Sequence, residues 1–176
     1  MTSLYDQAAE LATQKFEENE KARNSDAVCV VAIHIPTGEH HAFLSGALGY
    51  RELTSSLCST MAIDKAAAQQ RITHAIQVFL QAEEFSHEQI HQKGFDIHGR
   101  GAMNCAEPKM YFFLKEQLKH RIAEWVLVPF NWNAQGTGVV YNAPCQNCRR
   151  WVYKHFHAQS RQIAQERKGA AAFDLG

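Results

Sequence analysis

Asn104-Cys105-Ala106-Glu107-Pro108-Lys109 and Pro144-Cys145-Gln146-Asn147-Cys148 decide how this chain is read. Cys-x-x-Cys alone is a weak signal. It gains weight when proline precedes it and a Cys-x-Glu opens an earlier helix. Three cysteines and a glutamate are the components of a zinc site that activates water, because zinc favours four tetrahedral ligands and a catalytic site keeps one position open. Positions i and i+3 of a helix share a face, so Cys145 and Cys148 can converge on the ion that Cys105 also reaches. Pro144 suits the first position of a helix, and Pro108 suits a first turn, where its missing N–H costs nothing. The spacing predicts two helix N-termini meeting at one metal. Each would contribute roughly half an elementary positive charge against three thiolates. Lys109 and Arg149 are the candidate cations to offset the remainder.

The pairing of Cys-Ala-Glu with Pro-Cys-x-x-Cys resembles the signature of the zinc-dependent nucleobase deaminases. On these motifs the chain is similar to the cytidine deaminase-like superfamily. Its Asn-Cys-Ala-Glu-Pro-Lys form is similar to bacterial deaminase domains of the toxin type. The resemblance covers most of residues 27–157. It implies an α/β fold of three layers, α/β/α, with a mixed sheet. It also implies zinc as the cofactor, Cys105, Cys145 and Cys148 as the metal ligands, and Glu107 as the catalytic proton shuttle. The implied reaction is hydrolytic: zinc-bound hydroxide attacks an amino-bearing ring carbon of a cytosine-type base, and ammonia leaves. Three departures stand out. Residues 46–94 form a long helical insertion before the metal motif. The half of the chain after Cys148 is short, so the later strands of the family are absent or reduced. Pro108 also occupies the position where close relatives often carry arginine, so the compensating cation comes from elsewhere.

Around the motifs, hydrophobic periodicity orders the chain. Leu4 to about Ala22 reads as a helix with a stripe at Leu4, Ala8, Leu11 and Phe16. The β-branched run from Ala27 to Ile35 predicts a strand buried on both faces, followed by a turn at Pro36-Thr37-Gly38 and a returning strand, Glu39 to Ser45. Residues 47–60 read as a short helix (Tyr50 to Cys58) or a loop. Ala62 to Glu84 predicts a helix with a stripe at Ala68, Ile72, Ile76, Phe79 and Leu80. A glycine-bearing loop, 95–101, approaches the motif helix, which runs from Cys105 to about Arg121 with Tyr111, Leu114 and Leu118 inward. Trp125 to Phe130 predicts a third strand, Asn131 to Gly138 a polar loop, and Val139 to Tyr141 a short strand. The second motif helix extends from Pro144 towards Arg167, and 170–176 is a tail. No repeat or second domain is expected, so 1–176 is read as one deaminase-like domain.

Composition narrows the class. The chain has 176 residues, 45% hydrophobic and 20% charged, which suits a globular domain. Eighteen basic residues balance eighteen acidic ones, so nothing demands nucleic acid. No apolar run approaches the roughly 20 residues that span a bilayer, and the N-terminus predicts no signal peptide. Five cysteines, an odd number, fit metal-binding or catalytic thiols in a reducing compartment better than a disulfide framework. The expected location is cytoplasmic, with export through a specialised system left open.

Each site residue carries a plainer alternative. The zinc could be structural, closed by a fourth ligand such as His98 or His155. Asn104 either contacts substrate or caps a helix. His98 faces the pocket or only the loop. Phe130 and Trp132 either stack on the target base or belong to the core. Arg149, Arg150 and Lys154 meet phosphate or form a solvated face. Cys29 and Cys58 read as inert buried thiols, and His34, His40 and His41 as strand and turn residues without a role. The expected partner is a small-molecule base or nucleoside, or a single-stranded nucleic acid, with no membrane. Assembly into a homo-oligomer is compatible with the short C-terminal half. A purine deaminase and a non-catalytic zinc-stabilised interaction domain are the competing functions.

Overall fold

The computed structural model describes residues 2–82, 105–117, 119–133, 135–136, 138–145, 148–149 and 152–169, without the side chains of 76 and 79–82. His98, Asn104, Leu118 and Arg150, the loop 95–101, the tail 170–176 and the 83–94 part of the insertion lie outside these residues. So do the side chains of Ile76, Phe79 and Leu80.

Four strands pair in the order β2-β1-β3-β4, with β1 at Val28–His34, β2 at His40–Leu44, β3 at Trp125–Trp132 and β4 at Val139–Tyr141. Strand alternation sends successive side chains to opposite faces. Cys29, Val31 and Ile33 therefore join Val126, Val128 and Phe130 on one face, while Val30 and Ala32 join Leu127 and Trp125 on the other. Both faces are covered by helices, so the architecture is α/β. On the first lie α1 (Leu4–Glu17), which presents Ala8, Ala12 and Phe16, and α6 (Gln159–Lys168), which presents Ile163 and Ala164. On the second lie α3 (Gly46–Met61), α4 (Lys65–Ala82) and α5 (Ala106–Gln117).

The local chemistry explains where elements begin and end. Ser3 caps α1, its hydroxyl accepting the Asp6 N–H at 3.1 Å. The first helix stops at Glu17, not near Ala22. Asn19 leaves the helical region (φ −132°, ψ 88°), and the one-turn α2 (Glu20–Arg23) follows. Residues 46–61 form a full helix. Its inward line Gly49, Leu53 and Leu57 starts with a glycine, which the apolar periodicity does not register. A Cβ at Gly49 would fall 1.5 Å from the Leu44 carbonyl oxygen, so only glycine lets α3 lie this close to β2. Ala62 ends α3 in the left-handed region (φ 54°), and Asp64 accepts the Ala67 N–H at 2.8 Å. The next helix therefore starts at Lys65, three residues later than its composition suggests.

Two expectations are corrected. Among the described residues the sheet is antiparallel throughout, not mixed. The second motif helix does not run to Arg167 either. After the helical bonds Arg149 N–H to Cys145 O (3.1 Å) and Val152 N–H to Cys148 O (3.0 Å), a 3-10 turn at Tyr153–His155 leads into an extended Phe156. One cause underlies both. The three-residue β4 pairs only with Phe130 to Trp132, and the Asn142 N–H reaches the Pro129 carbonyl at 3.0 Å, leaving the outer edge of β3 open between Trp125 and Val128. The chain fills that edge without a strand. The His157 N–H donates to the Trp125 carbonyl at 2.9 Å, and the Leu127 N–H donates to the Ser160 hydroxyl at 2.9 Å. Unpaired edge groups are satisfied, and the helix is broken to do it.

Candidate metal centre

The α5 helix carries the site. It is buried from its first residue, Ala106, through Leu114, and that run includes Glu107 and Lys109. A helix apolar around its circumference belongs inside a core; here two charged side chains share that position. Cys105 immediately precedes the helix, and Cys145 and Cys148 approach it from the second motif.

The sulfurs of Cys105 and Cys145 lie 3.8 Å apart, and all three sulfurs lie within 4.8 Å of one another. A disulfide would place two sulfurs about 2.05 Å apart. Tetrahedral zinc with bonds of about 2.3 Å separates its sulfurs by about 3.8 Å. The trio thus has the spacing of ligands around one ion, and the residues fit such a group. The Cys148 N–H donates to the Cys145 sulfur at 3.4 Å, the backbone bond that orients a ligand thiolate at a helix start. Without a cation the thiols resist ionisation. Hydrogen bonding to Cys145 and burial raise Cys105, and hydrogen bonding to Cys105 and Cys145, with burial, raises Cys148. A coordinated divalent ion reverses this, since it deprotonates a ligating thiol outright.

Glu107 is 3% exposed. Burial, then the neighbouring Cys145, pushes its pKa up to about 7, while its own backbone, the Cys148 thiol and Lys109 pull it down. A carboxyl balanced near neutrality can both take up and release a proton. Lys109 is 1% exposed, its ammonium donating to the Cys105 carbonyl at 3.3 Å. Burial lowers it to about 8 against the opposing pull of Cys105, Glu107 and Cys148. It is a cation buried beside the cysteines. Arg149, the other candidate, is half-buried beside Cys148.

No family model, curated protein or solved structure matches this chain.

Among the described residues no fourth histidine, cysteine or acid joins the three cysteines. His155, one candidate to close a structural site, packs instead against Tyr111, ring centroids 5.0 Å apart. Phe130 and Trp132 are corrected as base-stacking candidates. Phe130 is fully buried on the opposite face of the sheet against Tyr5 (5.5 Å), and Trp132 packs on Phe16 (5.7 Å). Strand alternation turns both away from the cysteines. Cys29 is buried, and burial pushes its thiol up to about 12. Cys58 is only half-buried and lines a cleft of about 670 Å³ between α3 and α4 with Tyr50, Arg51 and Lys65.

Sequence reasoning missed one tyrosine. Tyr153 is buried in the same cluster as Cys148, and burial, then the charge of Glu107, raises its phenol, so it stays neutral. Nothing in its sequence neighbourhood marked it. No helix among the described residues is long and apolar enough to cross a membrane.

Proposed function

We propose that this chain is a zinc-dependent hydrolytic deaminase that converts the amino group of a cytosine-type base to a carbonyl. The observation that carries the reading is the convergence of Cys105, Cys145 and Cys148 around one point with the buried carboxyl of Glu107 beside them. When bound, the zinc would supply Lewis-acid activation of a water molecule. Glu107 takes a proton from the attacking water as the carbon–oxygen bond forms and gives it to the ring nitrogen. It then moves a proton to the departing amine as the carbon–nitrogen bond breaks, releasing ammonia. Its elevated pKa suits it to both transfers. Lys109 holds positive charge under the cysteines and keeps Glu107 from rising further. The wall of buried side chains around α5 excludes water from the proton path.

The substrate is a nucleoside or small aminopyrimidine, or cytosine in a single strand. The even balance of eighteen basic and eighteen acidic residues favours the small molecule. The test is ammonia release by zinc-loaded protein from cytidine, deoxycytidine, cytosine, adenosine, guanine and single-stranded DNA and RNA, with Glu107→Gln alongside. Release from a cytosine-bearing compound is expected, falling by about 10²–10⁴-fold in the variant while bound zinc is retained. Equal release by both proteins, or none from any compound, would overturn the assignment. Release from a purine alone would replace the substrate class.

A further inference from the structure

A second group of metal-binding side chains gathers past the other end of α5. His34 closes β1, Glu39 lies in the β1–β2 hairpin, His120 follows α5, and Glu124 ends the 3-10 turn Ile122–Glu124 before β3. One donor atom from each of His34, His120 and Glu124 lies within 4.8 Å of the others. His34 Nε2 is 3.1 Å from Glu124 Oε1, and the two imidazoles stack with centroids 3.7 Å apart. Each ring is fixed from behind. The Thr37 hydroxyl meets His34 Nδ1 at 2.7 Å, and Glu39, itself held by Lys119 at 2.9 Å, meets His120 Nε2 at 2.9 Å. Such outer partners are what set the tautomer and direction of a ligating histidine.

We propose that His34, His120 and Glu124 form a second metal site, for a divalent first-row transition ion of the zinc kind. Two imidazoles and a carboxylate suit zinc, nickel or copper, whereas magnesium and calcium take oxygen donors. Thr37 leaves His34 Nε2 to face the ion. His34 is 2% exposed and forms the floor; His120 and Glu124 are more open and both border a cleft of about 410 Å³, with His120 also lining one of about 590 Å³, which supplies an entry path. The C-terminal end of α5 points its partial negative charge this way, which favours a cation. The bound ion ties the β1–β2 hairpin to the end of α5 and the start of β3, a bracing role remote from Cys105. The proposal does not rest on the deaminase reading.

The test counts metal. Chelator-treated full-length protein, His120→Ala and Glu124→Gln are titrated with Co²⁺ and then Zn²⁺ and analysed for metal per chain. Wild type is expected to bind one equivalent more than either variant. In the cobalt form that equivalent should carry no thiolate-to-cobalt charge-transfer band, and melting temperature should rise with zinc further in wild type than in the variants. Glu39→Gln should keep the number and weaken affinity by about 10–100-fold. Glu124 is half-exposed, so its variant decides the matter should His120→Ala fold poorly. The same metal count in wild type and in the folded variants would overturn the proposal, as would a thiolate band on the disputed equivalent.

Discussion

At the start of α5, Cys105, Glu107 and Lys109 stand within five residues of one another, and a second short motif completes the group. Past its end, His120 and Glu124 meet a histidine from β1 that precedes them by 86 residues or more in the chain. The two groups are separated by a helix of 12 residues, roughly 18 Å long. The first places three thiols and a buried carboxyl at the positive end of the helix. The second places two imidazoles past the negative end, one buried and one partly open, beside the half-exposed Glu124. The comparison teaches that burial sets what each carboxylate can do. Glu107 is desolvated and driven up towards neutrality, whereas Glu124, hydrogen-bonded by His34 in the open, is held below the usual carboxylate range. One is suited to proton exchange, the other to staying charged.

Removing the buried cation should break the first region most sharply. Lys109→Met keeps the stem and deletes the charge. Lys109 lowers the Glu107 pKa, so its loss raises that value, and the base form appears only at higher pH. The ascending limb of kcat/KM against pH should move to higher pH, and turnover at neutral pH should fall. An unmoved limb would mean that Lys109 is only packing.

Stability against pH should separate the regions by sign in the metal-free protein. The folded-state pKa of Glu107 is raised from 4.5 to about 7. Its contribution is therefore complete below about pH 4.5 and lost as pH climbs through about 7. Glu107→Gln should gain stability over wild type across that window. Glu124 is lowered from 4.5, so its contribution is present above pH 4.5 and lost as pH falls through the folded value. Glu124→Gln should be the less stable protein near neutrality, with the gap closing in acid. Urea midpoints measured from about pH 2 to 8 check both; parallel curves would erase the contrast. The smallest effect belongs to Thr37→Val, which strips the partner from His34 Nδ1. It should cost about 1 kcal/mol and leave ammonia release unchanged. A fall in turnover would show that the two ends of α5 communicate.

How legible each region was follows from how its parts are spaced. Helix geometry brings i and i+3 together without help, so Cys145 and Cys148 announced a shared ligand face before any fold was known. The same holds for the β-branched run that became β1. His34 carried no such mark: a histidine at a strand end means nothing until another element arrives beside it. Phe130 and Trp132 were misread for a related reason. Their distance along the chain from the motif said nothing of which face of β3 they occupy, and a strand reverses face at every residue. The C-terminal break was hidden because it answers to β3, whose unpaired edge the sequence around Phe156 does not reveal.

Local patterns, then, determined the strands, the start of the first helix and the cysteine set, because each depends on neighbours a few bonds away. Only the tertiary structure decided the burial of Glu107 and Lys109, the antiparallel sheet with its edge closed by a loop, and the meeting of His34 with His120 and Glu124. Those depend on which distant segments exclude water from one another, and desolvation belongs to the packed molecule.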